Sequence, residues 1–111
     1  MLDIRVTEKN GVAVIEVQGR IDSSTAGELG EALTSVIDDG YNQVVLDIAG
    51  VDYMSSAGLR ELVSALKKLR NTSGDMRIAQ VKERVYEVLE LSGLHTIFQI
   101  FDSQAEAIRS F

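Results

Sequence analysis

The chain has 111 residues, 45% of them hydrophobic and 25% charged, with no cysteine and a formal net charge of −6 from 17 acidic and 11 basic side chains. That length suits a single domain, residues 1–111, able to bury about two-thirds of the surface its unfolded form exposes, which excludes a disordered chain. The acidity argues against a nucleic-acid partner and against docking on an anionic membrane, and the missing cysteine removes disulfides, thiol catalysis and thiolate metal sites.

The elements follow in chain order. Asn10-Gly11 stands between Ile4-Arg5-Val6-Thr7 and Val12-Ala13-Val14-Ile15-Glu16-Val17. An Asn-Gly pair between β-branched runs predicts a hairpin and two antiparallel strands. Residues 19–24 read as a turn. A helix is expected from about Thr25, with Glu28 three residues on as a capping box, its core face carrying Ala26, Leu29, Leu33, Val36 and Ile37. Gly40 suits its end. Residues 43–48 read as a strand buried on both faces.

A serine turn comes next, and then Leu59, Leu62, Val63, Leu66 and Leu69 repeat at helical spacing, with Arg60, Glu61, Lys67, Lys68 and Arg70 on the wet side. Residues 76–81 predict a strand, 82–91 a helix stopped by Ser92-Gly93, and 97–101 a short strand. Ser103 with Glu106 is a second capping box that opens a last helix. The order β-β-α-β-α-β-α-β-α implies an α/β domain with a mixed sheet whose later strands are parallel and flanked by helices.

The serine turn carries the chemistry. Ser56 is expected at the mouth of the second helix, as its N-cap, beside backbone N–H groups that lack partners inside the helix. A phosphate on its hydroxyl is well held there and alters surface charge without unfolding the chain. Capping alone also accounts for a serine at that position. Ala57 and Gly58 are small enough for a phosphate or a partner protein to approach the backbone. Such an approach would account for a glycine inside a helix. Ser55 is the alternative site. The Asp22-Ser23-Ser24 turn leads from a strand into a helix as the serine turn does, so the two are expected to open on one edge of the sheet.

Other chemistries find little support. The glycine that a nucleophile elbow needs two residues before its serine is missing, because Met54 and Tyr53 occupy those positions. His95 is the only histidine, with no metal or triad partners evident. Asp47 falls in a buried strand and Asp52 in a turn. There is no Gly-rich phosphate loop with lysine. No cofactor or metal is implied. The N-terminus has no signal-peptide pattern, and no apolar run approaches the roughly 18 residues of a membrane span, so a cytoplasmic location without membrane insertion is expected.

Three segments, in this order, resemble the STAS domain family, and within it the anti-sigma-factor antagonists. They are Gly19-Arg20-Ile21-Asp22 with Thr25-Ala26, then residues 44–60, and Leu91-Ser92-Gly93-Leu94 through residues 98–103. The resemblance implies a mixed sheet flanked by helices and a partner switch. The unmodified antagonist binds an anti-sigma factor that is itself a serine kinase, which frees a sigma factor. The kinase then phosphorylates the switch serine at the expense of ATP and the pair separates, and a serine phosphatase resets it. The family's switch serine falls on Ser56. Many antagonists have aspartate just before it, where this chain has Ser55.

The docking surface so implied comprises Asp22, Ser23, Ser24, Met54, Ser55, Ser56, Ala57, Gly58, Leu59 and Arg60, with a monomer as the free state. The alternative is a constitutive STAS subunit of a transporter or signalling assembly, with no phosphorylation. An enzyme ranks below both, for want of a base–nucleophile pair, a metal cluster or a cofactor motif.

Overall fold

The hairpin predicted from Asn10-Gly11 opens the sheet. In the computed structural model, which describes residues 1–111, both turn residues have positive φ, +55° at Asn10 and +81° at Gly11. That is the two-residue turn whose twist matches the flanking strands. It joins β1 (Asp3–Lys9) to β2 (Val12–Ile21) in antiparallel register, Lys9 opposite Val12 and Asp3 opposite Gln18.

Every later strand adds in parallel. Helix α1 (Ala26–Asp38) crosses to β3 (Gln43–Met54), α2 (Ser56–Arg70) to β4 (Asp75–Ala79), and α3 (Glu83–Leu91) with a short 3-10 turn (Leu94–Thr96) to β5 (Gln99–Phe101). Helix α4 (Gln104–Arg109) follows. The spatial order is β1-β2-β3-β4-β5. Right-handed crossovers that always step the same way deliver all their helices to one face. Accordingly, Leu29 and Leu33 of α1, Leu62 and Leu69 of α2, and Val85 and Leu89 of α3 share one cluster with Ile15, Leu46 and Ile78 of the sheet.

Helix α4 alone covers the other face. Its Ala107 packs on Val12, Val14, Val45 and Ala79, with Phe101 and Phe111 at the margin. Asp47, only 5% exposed, lies on that side and is fully engaged. It accepts from the Ala49 amide at 2.9 Å, Gln80 Nε2 at 2.7 Å and Gln104 Nε2 at 2.6 Å. It is therefore a clamp between β3, the end of β4 and α4. No helix is long and apolar enough to cross a membrane.

Two expectations are corrected. The capping box at Thr25 and Glu28 does not form. Thr25 Oγ1 donates to the Arg20 carbonyl at 2.8 Å and accepts from the Asp22 amide at 2.9 Å, and the Glu28 carboxylate accepts from the Leu2 amide at 3.0 Å. Tertiary partners outcompete the local reciprocal bond. In α4 the serine half of the expected box forms, Ser103 Oγ accepting from the Glu106 amide at 3.2 Å, while the Glu106 carboxylate meets the Ser103 hydroxyl at 3.4 Å rather than its amide.

The second correction concerns the strand ends. Residues 19–21 and 49–54 read as turns, yet β2 runs to Ile21 and β3 to Met54. Register shifts between Glu16 and Gln18 and between Gly19 and Arg20 keep the two paired as far as Ile21 opposite Met54. Bulges of this kind add twist without ending the ladder.

Candidate functional site

The paired ends of β2 and β3 set the site. The Ser55 amide donates to the Ile21 carbonyl at 2.8 Å, one step beyond the Ile21–Met54 pair. The Asp22 loop and the serine loop are thus neighbours on the carboxyl edge of the parallel strands, the edge where α/β sites form.

Within the first loop Asp22 is the hub. Its Oδ1 accepts from the Ser24 hydroxyl at 2.7 Å and the Ser24 amide at 2.9 Å, and Arg20 Nε approaches Oδ2 at 3.3 Å. These donors, Ser24 foremost, hold the Asp22 carboxyl below the usual aspartate range. Ser23 and Ser24 are exposed.

Arg20 also lies over the Tyr53 ring, 3.9 Å from its centroid. Beside them Asp52 pairs with Lys82, whose hydrogen bond and charge lower the Asp52 carboxyl. Neither Arg20 nor Tyr53 was selected from sequence as a site residue. Only the register that sets them opposite each other across β2 and β3 brings them to this edge.

The serine loop differs from expectation by one residue. Ser55, not Ser56, occupies the N-cap position, with φ −86° and ψ 173°. Its carbonyl accepts the Leu59 amide at 3.1 Å, the bond that starts the helix. The cap moves back because β3 continues through Tyr53 and Met54. The Ser55 hydroxyl makes no capping bond; it is buried without a partner. Ser56 is the first helical residue and is exposed. Its hydroxyl stands in solvent at the positive end of a 15-residue helix.

The residues around it divide into two sets. Ala57 is half-buried and Arg60 exposed. Met54 is 1% exposed and Gly58 is buried, so these two support the loop from beneath and present no side chain to a partner, while Leu59, 8% exposed, lines the groove beside α2. The sequence reading of Gly58 as a place of close external approach is corrected in the same way. A Cβ there would lie 2.6 Å from Ile21 Cγ2 and 2.9 Å from Met54 Cγ. The first turn of α2 sits so tightly on the ends of β2 and β3 that any side chain at 58 would force Ile21 or Met54 to shift.

Beside Ser56, α2 and the segment after α3 border a groove lined by Leu59, Arg60, Val63, Lys67, Ser92 and Leu94. No three His, Asp or Glu side chains anywhere in the fold converge as metal ligands. His95 is half-buried and meets Tyr86 edge-on, with ring centroids 6.1 Å apart, a packing contact.

A family model, the STAS domain, matches residues 3–107. The chain belongs to the STAS domain family. Among STAS relatives, BtrV of Bordetella bronchiseptica, named as a candidate anti-sigma factor antagonist, is 36% identical over 102 residues, 92% of this chain and 88% of that protein. The anti-sigma-B factor antagonist of Staphylococcus aureus is 30% identical over 99 residues, 89% of this chain and 92% of that one. The crystal structure of an anti-sigma factor antagonist from Mycobacterium paratuberculosis superposes with a TM-score of 0.91 at 25% identity, covering 99% of this chain and 93% of the other. The mixed sheet flanked by helices is the fold that the resemblance implied.

Proposed function

We propose that this STAS domain is an anti-sigma-factor antagonist whose binding is switched by phosphorylation of Ser56. Unmodified, it docks on an anti-sigma factor that is a serine kinase, through the edge formed by the Asp22 loop, Ser56, Ala57 and Arg60. In the kinase site the Ser56 oxygen displaces ADP from the γ-phosphorus of ATP, and the hydroxyl proton passes to a base of the kinase. A serine phosphatase restores the hydroxyl by hydrolysis.

One observation carries the choice of residue. Ser56 is exposed at the first position of α2, whereas the Ser55 hydroxyl is buried. A kinase can reach the former without opening the loop. The relatives named as antagonists, aligned over most of their length, support the partner class.

The physical consequence of the switch follows from its position. A phosphate adds about −1.5 to −2 charge at neutral pH. Free in solution, that charge is favoured by the helix terminus. Packed against a partner it must be desolvated and faces any carboxylate opposite, so the complex separates while the domain stays folded.

The deciding experiment is phosphopeptide mass spectrometry of protein from its native host, joined to binding of Ser56→Ala and Ser56→Asp variants to the host anti-sigma kinase. Phosphate on Ser56, with binding kept by Ala and lost by Asp, is the expected result. Equal binding by both variants, or phosphate on Ser55, would overturn the assignment.

A further inference from the structure

The groove beside Ser56 differs in charge from the rest of the molecule. Helix α2 carries Arg60, Lys67, Lys68 and Arg70 against the single acid Glu61, in a chain whose net charge is −6. Arg70 is already committed, bonding the Ile97 carbonyl at 3.1 Å and approaching Asp75 at 3.6 Å. Arg60 and Lys67 enter none of the five ion pairs of the fold and make no side-chain hydrogen bond. Both line the groove, over a floor of Leu59, Val63 and Leu94. Leu91, next in the chain to groove-lining Ser92, is 89% exposed.

We propose that this groove receives an acidic segment of the anti-sigma kinase, seated by an apolar side chain over Val63 and Leu94 and held by carboxylates on Arg60 and Lys67. This rests on the reading of Ser56 as the kinase's target, and it adds a second contact that gives the phosphate something to act on. Ser56 lies at the mouth of the same groove. With Ser56 unmodified, Arg60 and Lys67 offer an acidic partner two cations without counter-charges on the groove wall. The net charge of −6 on the whole chain disfavours such a partner elsewhere on average, so a local basic groove on α2 favours approach there. With Ser56 phosphorylated, the dianion stands beside the partner's carboxylates and competes for Arg60, which is one helical turn away on the same face. One modification therefore removes the attraction and adds a repulsion. Charge complementarity selects the acidic occupant: a basic segment would meet Arg60 and Lys67 unpaired, and a purely apolar one would leave them partly desolvated without a counter-charge.

The test uses the intact chain and the purified host anti-sigma kinase that phosphorylates it at Ser56. Its affinity for the wild type is compared by calorimetry with that for R60E/K67E and for V63E, each checked for an unchanged circular dichroism spectrum. Both cations are exposed, so their reversal leaves the fold intact. The expected result is a loss of roughly tenfold or more for each variant, with the salt dependence of binding much reduced in R60E/K67E. If R60E/K67E binds within twofold of the wild type while Ser56→Asp abolishes binding, the groove is not part of the interface and the Ser56 switch stands alone. If no host anti-sigma kinase binds or phosphorylates the wild type, the switch reading fails and this proposal falls with it.

Discussion

The Ser55 amide donates to the Ile21 carbonyl at 2.8 Å, and this bond joins the serine loop to the loop that begins at Asp22. It extends the β2–β3 pairing one step past Met54, so both halves of the candidate docking edge ride on the same rigid ladder. The amides of Ser56 and Ala57, by contrast, belong to a first helical turn that has no intrahelical acceptors. Hydrogen exchange followed by NMR should show the Ser55 amide protected and those of Ser56 and Ala57 exchanging fast. Phosphate at Ser56 should slow the latter two and leave Ser55 unchanged. Rapid exchange at Ser55 would mean that the two loops move independently.

The two serines at N-cap positions should respond in opposite ways to truncation. Ser103 accepts the Glu106 amide at 3.2 Å, and Ser103→Ala should cost about 1 kcal/mol in urea unfolding. The Ser55 hydroxyl caps nothing and is buried unpaired, so Ser55→Ala should be neutral or stabilise by up to about 1 kcal/mol. A loss at Ser55 as large as that at Ser103 would show that its hydroxyl finds a partner in solution.

Gly58→Ala sets two effects against each other. Alanine is the better helix residue by about 1 kcal/mol. Its Cβ, however, would stand 2.6 Å from a branch methyl of Ile21 and 2.9 Å from Met54 Cγ, and neither is the free end of a flexible chain. Overpacking of this sort costs about 1–3 kcal/mol, so a net destabilisation of about 1 kcal/mol is expected from urea titration. A more stable variant would show that α2 can lift off the strand ends.

How far the chain could be read without its structure varies with the residues concerned. The Asn10-Gly11 hairpin and the continuous apolar run of β3 were plain, because turn chemistry and burial act locally on those residues. The leucine spacing of α2 was plain for the same reason. The ends of β2 and β3 were not, since Arg20, Asp52 and Tyr53 are polar enough to pass for turn residues. They are strand because bulges keep the two strands in register, and a bulge leaves no mark in hydropathy. The one-residue misplacement of the α2 cap follows directly from that. Gly58 was noticed as unusual and explained by the wrong neighbour: the approach it permits comes from Ile21 and Met54, residues distant in sequence or a turn away. Arg20 on Tyr53 and Asp47 with Gln80 and Gln104 depend on register and on helix docking, which no local pattern reveals.

Asp22 supplies a pH signature. Its carboxyl is held below the ordinary aspartate value of 3.8, chiefly by Ser24. A folded-state value that is depressed contributes stability in full above the unfolded value and loses it as pH falls through the folded one. The Asp22 loop should therefore keep its bonds at neutral pH and loosen only below about 3.8. Carboxyl NMR titration should give a midpoint below that figure, and Ser24→Ala should move it upward. Asp22→Asn should flatten the acid limb of the stability curve in the same window. A midpoint unmoved by Ser24→Ala would place the cause elsewhere.

Arg60 should respond to phosphate on Ser56. The two residues share the groove beside α2, and Arg60 has no other ion partner. Phosphoserine placed at 56 during translation adds a dianion at the positive end of α2, which should raise thermal stability by about 0.3–1 kcal/mol. A guanidinium one turn on favours the doubly ionised phosphate over the singly ionised form, so it lowers the second ionisation of phosphoserine. In a phosphorus NMR titration, Arg60→Ala should shift that ionisation upward and cancel part of the stability gain. Both effects should shrink at 1 M salt, where the screening length falls to about 3 Å. If Arg60→Ala leaves the titration unchanged, the phosphate is held by the helix terminus alone. In that case the cation remains free for the partner even in the phosphorylated chain, and release must come from repulsion rather than competition.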